Sequence, residues 1–154
     1  MFDDNNLKNY NFPKMSFVLG FGGLVPFVFC VIIIVFDIDS SFDPAKILLY
    51  YGSVILCFVG AISWGFATKE KTENKLQQYL FLWSVLPALM AFLALVISQA
   101  ESFLLLILGF LLAYLVDKKI QHKLSIPSWY LFLRLQLTIV VVICLCIGLT
   151  QDLF

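Results

Sequence analysis

Few side chains in this sequence could do chemistry, and most of those lie at the ends of apolar runs. Arg134 is the clearest, since it stands a few residues into the last apolar run. A charge at membrane depth is costly and is often kept for function. Two readings fit it. Its long stem can carry the guanidinium to the headgroups, or pair it with Asp117 at the end of the preceding run. Alternatively, it can contact an anionic headgroup or substrate. Pairing or anchoring is the preferred reading. His122 is the only histidine and lies in a lysine-rich stretch, so no second imidazole is available for a haem or metal site. Cys30, Cys57, Cys144 and Cys146 all fall inside apolar runs without C-x-x-C spacing and read as small hydrophobes. Asp37, Asp39, Ser41 and Asp43 alternate like the first ligands of a calcium loop. Phe42 and Leu48 stand where that loop needs its glycine and its bidentate glutamate, so an acidic outer loop is expected instead. No catalytic residue, metal site or cofactor is expected, and no carboxylate sits in the middle of a run to serve a proton relay.

The elements that must position these groups are membrane helices. Of the 154 residues, 62% are hydrophobic, against about 45–50% for a typical soluble domain. Mean hydropathy is +0.97. The excess falls into five runs, each near the roughly 20 residues that span hydrocarbon. The expected fold is all-α: a short polar tail over 1–14, then one bundle of five transmembrane helices over 15–154. The helices are expected at about 15–36, 44–67, 76–98, 103–117 and 129–148. The first run is too long for a signal-peptide core and no small-residue cleavage site follows it, so it is expected to be retained.

Lysines orient the bundle. Lys8, Lys14, Lys69, Lys71, Lys75, Lys118, Lys119 and Lys123 fall on one side of the expected membrane, and only Lys46 on the other. Short loops rich in Lys and Arg stay in the cytoplasm. The expectation is a multi-pass protein of the bacterial inner membrane, with a cytoplasmic N-terminus and a periplasmic C-terminus. Trp64, Trp83 and Trp129 then all lie at the cytoplasmic interface, where indole is favoured.

Two features suggest how the helices meet. Ser53, Cys57, Ala61 and Gly65 form a small-residue row on the second helix, with Gly52 and Gly60 close beside it. Small residues let helix backbones approach, so a packing seam is expected there. A site where a ligand touches the backbone is the other reading. Pro26 and Pro87 fall near mid-depth in the first and third helices. They should kink those helices and free the carbonyls of Gly22 and Trp83, and two such kinks could frame a cavity.

Several of these pieces occur in an order that resembles the uncharacterised transmembrane protein 69 family. They are Gly23, Pro26 and Phe27 in the first helix, the stretch Tyr51–Gly65 in the second, and Trp83–Pro87 in the third. Tyr114 and Asp117 follow in the fourth, and P-x-W-Y-x-x-L-R-x-x-L-T runs from Pro127 to Thr138. The resemblance implies an integral inner-membrane protein and no established reaction. One position departs from it: Ser63 stands where that family usually has histidine.

The resulting expectation is a non-enzymatic packing, assembly or membrane-organising protein. Its partners would be the lipid bilayer and other membrane proteins, not nucleic acid. The alternative is a small transporter or channel with a path lined by the first three helices.

Overall fold

The computed structural model describes residues 13–69, 75–124 and 126–153. Lys8, Lys71 and most of the polar tail therefore lie outside the described residues. The rest form α1 (Lys14–Gly22), α2 (Val25–Val35), α3 (Pro44–Ala67), α4 (Lys75–Ala94), α5 (Gln99–Leu124) and α6 (Ser128–Leu153). There are no strands among the described residues. α1 and α2 are two halves of one stretch, Lys14–Val35, so five stretches are long and apolar enough to cross a membrane. The protein is an all-α, polytopic membrane protein.

Pro26 does what its missing N–H dictates, but at the start of a helix rather than inside one. It occupies the first turn of α2, and the chain turns at Gly23 and Leu24 between the two halves. Gly23 N donates to Leu19 O at 3.0 Å, and Leu24 N takes the shorter step to Phe21 O, also at 3.0 Å. Tyr51 of α3 then donates its hydroxyl to Gly23 O at 2.9 Å, satisfying a carbonyl that the break would otherwise leave bare. α2 ends at a backward wrap. Asp37 takes a positive φ of 47°, and Ile38 N closes onto Ile33 O at 3.1 Å. Asp43 begins α3 by accepting Lys46 N at 3.0 Å, with Pro44 directly after it. Two of the loop acids thus serve helix ends.

The turn between α4 and α5 lies earlier than expected. α4 stops at Ala94 rather than near Ser98, and Gln99–Ser102 forms the first turn of α5 instead of the loop. Ser102 holds this arrangement. Its buried hydroxyl shares its proton between Ala94 O, a carbonyl left over at the end of α4, and Ser98 O, which also accepts Ser102 N at 2.9 Å. α5 also runs past its expected end at Asp117 to Leu124. Polarity suggested a loop there, yet Ile120 carries the buried stripe onward against a cluster of Ala67, Leu80, Val116 and Ile126. Lys118 and Lys119 face outward from the same turns. His122 is therefore part of a helix.

The main core gathers Phe27, Leu48, Leu56, Phe103, Phe110 and Leu145 from α2, α3, α5 and α6. In lipid the hydrophobic effect does not draw such residues together, so shape decides the packing. On α3 the inward row is Gly52, Leu56, Gly60, Ser63 and Ala67, all buried. This corrects the expected row. Ser53 is buried and Cys57 partly so, but Ala61 and Gly65 are exposed, and a Cβ on Gly65 would meet nothing within 4 Å. The reason is helical drift. Repeated steps of four residues overshoot a turn by about 40° each, so a strict i, i+4 row winds off the seam. One step of three in the true row brings it back.

Gly60 is where α3 and α4 come closest to interlocking by shape. A Cβ there would lie 2.8 Å from Pro87 Cβ and 3.1 Å from Ser84 O. α4 thus presses its proline ring and backbone into the notch that Gly60 leaves on α3. Pro87 is fully buried by this contact.

Candidate functional site

α5 and α6 are joined by a short connection and run antiparallel, which brings Asp117 and Arg134 side by side. Arg134 Nε donates to Asp117 Oδ2 at 3.0 Å. Tyr130, one helical turn before Arg134, donates its hydroxyl to the same oxygen at 3.2 Å. The ion pair is out of solvent, with Asp117 4% exposed and Arg134 7%, and Tyr130 is half-buried beside it. Of the expected pairing and anchoring, the structure shows the pairing: a counter-charge on the adjacent helix holds the guanidinium among buried side chains.

The pair is incompletely satisfied. Arg134 Nη2 is buried and has no hydrogen-bond partner. One turn further along α6, Thr138 Oγ1 is in the same state. A bare donor in a medium without water costs several kcal/mol, so two of them a turn apart call for an explanation.

Both residues line a cleft of about 200 Å³ between the first membrane stretch, α3, α5 and α6. Tyr130, Arg134 and Thr138 share its α6 wall, with Phe27, Phe110 and Val141 deeper in. Leu19 and Phe58 also line it and are each 68% exposed, so the cleft opens on the apolar outer surface. Its origin lies in the break between α1 and α2. α2 packs on α3 and α6, whereas α1 leans on α6. Gly20 permits that lean, since a Cβ there would already lie 3.2 Å from Leu137 Cδ1. The space between α1 and α3 is left unfilled.

The other expected site residues lie elsewhere. Pro26 is half-buried and Pro87 is buried against Gly60, and neither lines the cleft. The two prolines do not frame this cleft, which lies between the first stretch, α3, α5 and α6 rather than among the first three. Gly52 and Gly60 are seam residues. Ser63 is 1% exposed and also away from the cleft, so the departure from histidine falls in the seam. Cys30 and Cys144 are buried free thiols. Among the described residues no group of three His, Cys, Asp or Glu is placed to hold a metal.

Sequence reasoning singled out Arg134 and Asp117 but passed over Tyr130 and Thr138. Their signal was available, because Y-x-x-x-R-x-x-x-T puts all three polar groups on one helical face. Tyr51 and the cleft itself had no local signal.

A family model described as a protein of unknown function, DUF3429, matches residues 12–150. Transmembrane protein 69 of Xenopus tropicalis is 34% identical over 126 residues, covering 79% of this chain and 48% of the relative. Transmembrane protein 69 of Mus musculus is 28% identical over 127 residues, covering 80% and 50%. The chain thus spans about half the length of the curated relatives it matches. No solved structure matches.

Proposed function

The chain belongs to the DUF3429 family of unknown function, and from that premise we propose that it is a non-enzymatic packing and membrane-organising protein whose cleft seats a lipid chain. The observation that carries this reading is the cleft. Its walls are apolar except at Tyr130, Arg134 and Thr138, and exposed Leu19 and Phe58 join it to the lipid-facing surface. At about 200 Å³ it lies below the roughly 300 Å³ at which drug-sized ligand pockets begin, so a slim chain suits it better than a folded cofactor. Its partners are the bilayer and, laterally, other membrane proteins. Native mass spectrometry from mild detergent tests the reading. A lipid should stay bound to the protein, and Ile55→Trp, which fills the cleft, should release it. Protein that keeps no lipid, or keeps it equally in the variant, would sink the reading.

The same proposal includes a place and an orientation: the bacterial inner membrane, with the N-terminus cytoplasmic and the C-terminus periplasmic. Lys14, Lys69, Lys75, Lys118, Lys119 and Lys123 cluster by topology at one end of the bundle, while Asp37, Asp39, Asp43 and Glu101 mark the other. In intact spheroplasts, a membrane-impermeant maleimide should label Asp39→Cys and spare Lys118→Cys. The reverse pattern would invert the orientation.

A further inference from the structure

Arg134 and Thr138 specify the cleft's occupant more closely than its apolar walls do. The ion pair is electrically balanced, because Asp117 answers the charge of Arg134 at 3.0 Å. A second anion on the guanidinium would lie close to the first carboxylate. In a low-dielectric site that repulsion is severe. What the site lacks is not negative charge but acceptors: Arg134 Nη2 and Thr138 Oγ1 are both buried, both unpartnered, and both carried by residues that line the cleft. An uncharged oxygen acceptor satisfies such donors without adding a charge.

Depth narrows the choice. Arg134 lies six residues beyond Ser128, or about 9 Å along the helix at 1.5 Å per residue. The cleft wall from Tyr130 to Val141 extends about 16 Å by the same rise, close to half of the roughly 30 Å hydrocarbon thickness. The groove therefore has the length of one leaflet, with Tyr130, Arg134 and Thr138 spaced along its α6 wall and apolar side chains at Val141, Phe27 and Phe110. Within a leaflet, the ester carbonyl of a glycerolipid is an uncharged acceptor covalently joined to an apolar chain.

We propose that the cleft binds a glycerolipid by one acyl chain and its ester carbonyl, with Arg134 and Thr138 as donors to that carbonyl. This rests on the reading of the cleft as a lipid seat and goes beyond it by naming the recognised group. Bound in this way, the lipid has its ester drawn several ångströms below those of its neighbours. That displacement gives membrane organisation a concrete form.

The test uses the full chain in phosphatidylcholine vesicles doped in turn with three diazirine-tailed probes: an ester-linked phosphatidylcholine, its ether-linked analogue, and a fatty acid. Photolabelled peptides are then mapped by mass spectrometry. The ester probe should label the cleft residues of α3 and α6 about fivefold more than the ether probe. Thr138→Val keeps the side chain's shape and should reduce that preference at least twofold. Asp117→Leu/Arg134→Leu, which removes both charges together, should abolish it. Equal labelling by ester and ether would overturn the carbonyl contact, whether water or nothing meets the donors, while leaving the lipid seat standing. Stronger labelling by the fatty acid would replace the carbonyl with an anion and overturn the proposal. Absence of any labelling in the cleft would overturn both the proposal and the lipid seat.

Discussion

α3 meets α4 on one side and the first membrane stretch on another, and the two contacts are built differently. Against α4, Gly60 receives the ring of Pro87 so closely that not even a methyl group fits between them. Against the first stretch, the α2 half makes the contact and α1 does not. There Phe27 packs edge-on to Tyr51 at 5.0 Å between ring centroids, and Tyr51 reaches Gly23 O. Beyond the break, α1 turns to α6 and the gap opens. Each contact involves a proline and a glycine. Where the proline lies inside a helix facing a glycine, the seam closes. Where it starts a new half-helix, the stretch is re-aimed and a cleft results. The proline's place relative to its neighbour, not its presence, decides between a seal and an opening.

The largest expected effect lies on the open side. Arg134→Leu alone leaves the Asp117 carboxylate buried without a counter-charge, and should lower stability by about 3–5 kcal/mol. Asp117→Leu/Arg134→Leu should recover most of that loss. Unfolding by steric trapping in lipid–detergent discs measures both, and a double variant as unstable as the single one would show that the pair is not the cause. Next comes the closed side. Gly60→Ala should cost about 1–3 kcal/mol from overpacking against Pro87 and Ser84 O. Gly65→Ala, on the exposed face of the same helix, should instead gain up to about 1 kcal/mol from helix propensity. Equal effects at the two glycines would erase the contrast between seam and surface.

A smaller change is expected where the two regions join. Tyr51→Phe keeps the ring contact with Phe27 but bares Gly23 O, for a loss of about 1 kcal/mol. Hydrogen exchange should then accelerate around residues 19–25 more than in α3. Uniform acceleration would mean that Tyr51 supports the whole bundle rather than the break. The smallest effect is predicted for Thr138→Val. Removing a buried hydroxyl that has no protein partner should leave stability unchanged or slightly raised in detergent without lipid. A clear loss there would show that the hydroxyl already has a partner within the protein.

The sequence made much of the architecture readable. Five apolar runs correspond to five membrane-length stretches, and the start of α3 at Pro44 follows from Asp43 and the proline after it. The neighbourhood of Arg134 and Asp117 was also legible, because two helices joined by a short connection must run side by side. The ends of α5 were not. Polarity marked Gln99–Ser102 and the residues after Asp117 as loops, whereas helical hydrogen bonding continues through both. A helix leaving the membrane can keep its form with lysines outward, provided that a residue such as Ile120 still finds a buried neighbour.

By itself the sequence determined how many times the chain crosses and which ends carry the lysines. Those properties follow from transferring each segment between water and hydrocarbon, a sum over local residues. The tertiary structure alone decided which row of α3 turns inward, that Pro87 meets Gly60, and that α1 leans away to open a cleft beside Arg134. The reason is that lipid is as apolar as a protein core. A membrane helix that is hydrophobic all round shows little contrast between its buried and exposed faces. Its orientation is then settled by shape, by which small residue receives which bulky one, and that fit exists only when the helices are together.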